Sequence, residues 1–206
     1  MTEHHEDPVA DIAWMRRLAE EGAQAPMQGA PILMAAGLTF GVGSLAFWAE
    51  LNRMFSVPGV FGVSWLAATA LFLAILTFNL TGARRRTGVM TAANRAIGTV
   101  WSAVGIGIFA LFVALIINDV RTDSSDGFNS FWLAPSVIMV FYGLGWAVTS
   151  AMLKSRPLWF LAMASFVAAP LLALLAGEAV QYLAYAAALF LLMALPGWML
   201  MRQARA

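Results

Sequence analysis

Charged side chains punctuate this chain instead of pervading it. Six long runs carry none: Gly22–Ala49, Met54–Ala83, Ala96–Asn118, Gly127–Leu153, Pro157–Gly177 and Ala179–Met201. Each is long enough for one helix across a bilayer core of about 30 Å, and none is long enough for two. Trimmed at prolines and turn formers, the runs predict helices at about residues 31–50, 59–81, 95–118, 131–153, 157–176 and 179–201. Pro31, Pro58 and Pro157 fall at or just before helix starts, where a missing N–H costs little. Pro170 and Pro196 fall inside the fifth and sixth helices and are expected to kink them.

The stretch from Arg84 to Asp119 sets the orientation of the rest. Arg84, Arg85, Arg86 and Arg95 precede 22 uncharged residues, Ala96 to Ile117, which Asn118 and Asp119 close. A helix of that length spans about 33 Å. Its basic end is expected in the cytoplasm and its acidic end outside. The remaining basic residues sort the same way: Arg16, Arg17, Lys154, Arg156, Arg202 and Arg205 join that side, leaving only Arg53 and Arg121 opposite. An odd number of spans would spoil this sorting, so the pattern favours six spans with both termini inside. Trp48 and Trp132 near the outer boundary, and Trp101, Trp159 and Trp198 near the inner one, suit interfacial positions.

Residues 1–29 are polar. Asp7-Pro8 has the form of a helix start. Behind it Ile12, Met15, Leu18 and Ala19 share one helical side, so the leader is read as a short amphipathic helix, lying on the inner membrane surface or simply solvated. The expected architecture is therefore an all-α polytopic membrane bundle of six transmembrane helices, residues 30–201. A cytoplasmic leader with an amphipathic helix precedes it, and a cytoplasmic tail, 202–206, follows it. Composition agrees: 61% of residues are hydrophobic and 11% charged, against about 25% charged in soluble domains. The acidic residues among the first 25, with no short apolar core between them, predict no cleavable signal peptide. A single lysine among twelve basic residues, with abundant alanine, hints at a GC-rich bacterial genome and so at the bacterial inner membrane.

Chemistry-bearing side chains avoid the centres of the predicted helices. No Asp, Glu, His, Lys or Arg falls near a midplane, where proton relays and ion-coupled carriers place such groups. Both histidines, His4 and His5, lie in the leader, and there is no cysteine. No metal or other cofactor is expected, and His4-His5-Glu6-Asp7 makes a poor closed metal site at a chain terminus. The loop 119–130 lacks the ligand spacing of a calcium loop. Gly41-Val42-Gly43-Ser44 offers a serine, but a serine nucleophile needs a base within reach, and none is expected at that depth.

Polar groups gather instead at the outer helix ends: Glu50 and Arg53 after the first helix, Asn118, Asp119 and Arg121 after the third, Glu178, Gln181 and Tyr182 at the sixth. Ordinary helix-end decoration explains them; a binding face is the sharper alternative. Glu50 and Asp119 end helices whose dipoles disfavour a carboxylate. At least one of them is expected to pair with an arginine, or with Gln181, Tyr182 or Tyr185. Small pairs four apart (Gly37 and Gly41, Ala103 and Gly107, Gly143 and Ala147) suit close helix packing. Tyr142, Trp146 and Thr149 share one face of the fourth helix.

These observations point to a non-enzymatic membrane protein acting through protein or lipid contacts, as an accessory, scaffold or regulatory subunit. The alternative is a small facilitator or channel for a neutral or apolar solute. Expected partners are membrane lipids and either another membrane protein or a second copy of the chain; nucleic acid is not expected.

Overall fold

The computed structural model describes Ile12 and residues 29–55, 62–83, 91–122 and 129–203. The predicted leader helix, apart from an exposed Ile12, and the cluster Arg84–Arg86 lie outside the described residues. Every regular element among the described residues is helical. The order is α1 (Ala30–Leu51), α2 (Val63–Ala83), α3 (Ala92–Thr122), a 3-10 turn (Asn129–Leu133), α4 (Ala134–Leu153), α5 (Arg156–Leu174), α6 (Val180–Leu189), a π-turn (Phe190–Ala194) and α7 (Leu195–Gln203). Five helical segments are long and apolar enough to cross a membrane: α1, α3, Phe131–Leu153, α5 and the continuous rod Val180–Gln203. In α2 the apolar stretch Val63–Asn79 is shorter.

The boundaries differ from expectation where polar residues are helix-compatible. α3 begins at Ala92 and runs to Thr122, beyond the uncharged run at both ends. Arg95 and Asp119 end the apolar stretch, not the helix. The Thr91 hydroxyl accepts the Asn94 N–H at 3.1 Å and so caps the start. At the start of α4, Pro135 lies in the first turn, where proline costs no hydrogen bond.

The helices pack as two layers. α1 lies between α2 and the C-terminal rod, while α4 packs most extensively on α5 and carries α3 on its other side. The layers meet in a core that includes Met139, Trp146, Leu172, Tyr185, Leu189 and Met193. α2 and α3 form the edges, and Phe78 and Phe109 stand 80% and 70% exposed on them.

Two contacts fix this arrangement. The first is a backbone approach between α1 and the rod. A Cβ on Gly37 would overlap the Ala194 nitrogen, one on Gly197 would stand 2.6 Å from the Met34 nitrogen, and one on Gly41 would enter the Phe190 ring. The expected Gly37/Gly41 pair thus serves packing within the chain. The second contact answers Pro196, which has no N–H to give the Leu192 carbonyl one turn earlier. The rod widens there into the π-turn, and the Trp146 indole donates to Leu192 O at 2.9 Å. Widened turns and inserted donors are recognised ways for a helix to absorb such a break. Beside Trp146, edge-on at 5.1 Å between ring centroids, Trp101 lies across Gly145 and donates to the Thr149 hydroxyl at 3.0 Å. Tyr142, Trp146 and Thr149 are all buried there, as a packed stripe.

Glycine substitutions should therefore separate by position. Gly37→Ala is expected to lower the thermal unfolding midpoint in detergent, because overpacking against backbone costs about 1–3 kcal/mol. Gly105→Ala, where a Cβ meets nothing within 4 Å, should leave the midpoint unchanged or slightly higher. Equal losses in both variants would refute the backbone approach.

Candidate functional site

Glu50 ends α1 only 8% exposed. The dipole of its own helix disfavours charge there, but the start of α2 lies beside it. Oε1 of Glu50 accepts the Gly62 N–H at 2.6 Å, and Oε2 accepts the Ser64 hydroxyl at 3.0 Å. Gly62 adopts φ +73°, a backbone conformation that favours glycine. The carboxylate thus caps a helix N-terminus, where unpaired N–H groups and the dipole both favour an anion. For Glu50 the expected partner, an arginine or Gln181, Tyr182 or Tyr185, is replaced by Gly62 and Ser64; Arg53 is exposed in the turn after α1, at φ +57°. Gly62 and Ser64 were missed, although Gly-Val-Ser before an apolar run carries a helix-start signal.

One turn below Glu50, α1 presents Phe47 and Ser44 to Tyr182. The Phe47 and Tyr182 rings meet edge-on with centroids 4.7 Å apart, and the Ser44 hydroxyl donates to the Tyr182 carbonyl at 2.7 Å. Trp65 of α2 and Trp132 of the 3-10 turn approach Tyr182 at 6.2 Å and 5.6 Å. Three segments therefore converge on one tyrosine of α6. Its neighbour Gln181 is fully buried, and its amide donates to the carbonyls of Trp132 at 2.8 Å and Leu172 at 3.0 Å. It ties the start of α6 to the end of α5 and to the 3-10 turn. Gln181 Oε1 and the Ser136 hydroxyl are enclosed without a hydrogen-bond partner. Ser136 sits one turn after Trp132, whose carbonyl Gln181 holds.

Of the eight expected residues, Glu50, Gln181 and Tyr182 are thus buried at one end of the bundle, joined through Phe47, Ser44 and Trp132. Arg53, Asn118, Arg121 and Glu178 are exposed. Asp119 is half-buried, with Oδ2 enclosed and unpaired. It projects two turns, about 10 Å, beyond Phe112, the level at which α3 meets Phe131.

Chemically this end is built to hold helices in place. Its carboxylate is engaged by a helix start, and its buried amide by two carbonyls. Among the described residues no three His, Asp, Glu or Cys side chains stand together as metal ligands. Compared with known proteins, the chain matches no family model, no curated protein and no solved structure.

Glu50→Ala should lower thermal stability by about 2–4 kcal/mol, since two bonds to a charged group are lost and the α2 start is left uncapped. Glu50→Gln, which keeps one acceptor for Gly62, should fall between the two. Identical midpoints for Glu50→Ala and the parent protein would show that the cap contributes nothing. Gln181→Met removes the amide's bonds to Trp132 O and to Leu172 O, the latter keeping the Leu175 N–H, and should cost about 1–3 kcal/mol, read from the same unfolding curves.

Proposed function

We propose that this chain is a six-span protein of the bacterial inner membrane, with both termini cytoplasmic, that acts through contacts as an accessory, scaffold or regulatory subunit and not as an enzyme. α2 supplies the sixth span in this reading: its 21 residues would extend about 31 Å, and it packs on α1. The ten-to-two division of basic residues supports the orientation.

The observation that carries the contact reading is how the polar side chains are used. Ser44, Trp101, Trp146, Thr149 and Gln181 all direct donors at other groups of the bundle. In an apolar solvent such bonds fix one arrangement, because the alternative is an unsatisfied polar group. The fold leaves apolar surface outward on several helices, α5 among them, and most completely on α3, which packs on the bundle through α4 and the 3-10 turn. An edge helix held from one side presents its remaining face to lipid or to a partner helix. The facilitator reading requires a polar or open path instead. A catalytic use of Ser64 beside Glu50 is disfavoured, since the same carboxylate receives the Gly62 N–H and serves as a cap.

Two experiments test the proposal. A periplasm-active reporter fused after Asp123 should give signal, and fusions after Arg86 or Arg205 should not; the reverse pattern would refute the orientation. A photo-crosslinking amino acid at Phe109, on the open face of α3, should capture one discrete protein in cells, while the same label at buried Met139 should not. Diffuse lipid adducts at Phe109, together with passage of neutral solutes through proteoliposomes of the purified protein, would favour the facilitator reading.

A further inference from the structure

The close approach of α1 to the C-terminal rod leaves a groove beside it. Its volume is about 380 Å³, and its lining is Met34, Leu38, Phe190, Ala194, Leu195 and Trp198, almost without polar surface. That volume is on the scale of ligand pockets, about 300–1,000 Å³. Leu38, Leu195 and Trp198 remain 45%, 39% and 44% exposed, so the groove opens sideways. Its apolar wall on the rod runs from Phe190 to Trp198, about 12 Å along the axis. One turn beyond Trp198, next to the lining and not part of it, stands a cation: the Arg202 guanidinium lies 4.8 Å from the Trp198 ring centroid.

We propose that this groove holds an acyl chain of an anionic phospholipid whose phosphate is received by Arg202. The shape is an apolar slot with one positive charge fixed at its mouth, and its complement is an amphiphile with an extended tail and an anionic head. Stacking on the indole places the guanidinium by its face and leaves its edge N–H groups, the donors that fork onto phosphate oxygens. Tryptophan beside arginine at the end of a membrane helix is also the residue pair expected at headgroup level. A neutral solute would have no use for the cation. The slot depends on the fold just described: Gly37 and Gly41 bring the two backbones together, and the widened turn before Pro196 sets Phe190 and Ala194 along its wall. The inference rests on the chain being embedded in a membrane, and not on its acting as an accessory subunit.

Native mass spectrometry of the full-length protein, in detergent with phosphatidylglycerol or phosphatidylcholine of identical chains, provides the test. Phosphatidylglycerol should be retained the more tightly. Arg202→Gln, a change at an exposed position, should weaken its binding roughly fivefold and bring it down to the phosphatidylcholine level. Lys154→Gln, which removes an equal charge from another exposed site, should leave the preference intact. Leu38→Trp, which fills the slot, should reduce retention of both lipids. Equal retention of the two lipids by the parent protein, or an unchanged preference in Arg202→Gln, would overturn the proposal. So would a dimer that Leu38→Trp dissociates while lipid binding persists, since the slot would then be an interface between copies. Reporter fusions that keep their expected pattern in Arg202→Gln show that a lost lipid preference reflects this site and not a failed insertion.

Discussion

Gly37 lets the backbone of α1 lie against that of Ala194 at a distance no side chain permits, and most of the remaining arrangement follows from it. α1 carries α2 on one side and the C-terminal rod on the other. Moving α1 outward by even a methyl radius would part Gly41 from Phe190 and Gly197 from Met34. It would also draw Ser44 away from the Tyr182 carbonyl. Apolar surfaces gain little by meeting each other when the solvent is itself apolar. Close backbone contact and a few well-aimed hydrogen bonds must then supply the selectivity that water provides elsewhere.

The same economy governs the polar groups. Pro196 removes one donor from the rod, and the indole of Trp146 supplies another to the Leu192 carbonyl. Glu50 is unfavourable at the end of its own helix but favourable at the start of the next. In both cases a local defect is cancelled by a group far away in sequence, so each defect also acts as a tie between helices. This is why replacing one partner alone should cost more than the bond itself, since the other is left buried and unsatisfied.

Much of the architecture is legible in the chain itself. The uncharged runs located the helices, and Pro31 and Pro157 marked starts; of the two prolines expected to kink a helix, Pro196 follows the π-turn, while Pro170 lies inside an α5 that runs on to Leu174. The form of the break before Pro196 could not be read, because a π-turn and a bend are equally open to a helix that lacks one N–H, and Trp146 decides between them from 50 residues upstream. Gly37 and Gly41 announced a close contact without naming Phe190 and Ala194 as its other half. Glu50 was legible as a carboxylate in need of a partner. Charge alone suggested Arg53, since a backbone N–H at Gly62 has no letter of its own in a sequence. Asp119, the matching carboxylate on α3, keeps an enclosed oxygen for which nothing in the sequence or the fold supplies an explanation.

The contact between the first and last helices also has a consequence in time. Ser44 and Tyr182 are 138 positions apart, and at the usual pace of synthesis that interval lasts on the order of ten seconds. For that period α1 would sit in the bilayer with its glycine face open and its serine hydroxyl turned only to its own helix. α4 and α5, adjacent in sequence and broadly packed, can associate as soon as both are made. Assembly would then proceed from the middle of the chain outward and close at its two ends. A ribosome that stopped short of Pro196 would leave α1 without the wall it is shaped to meet.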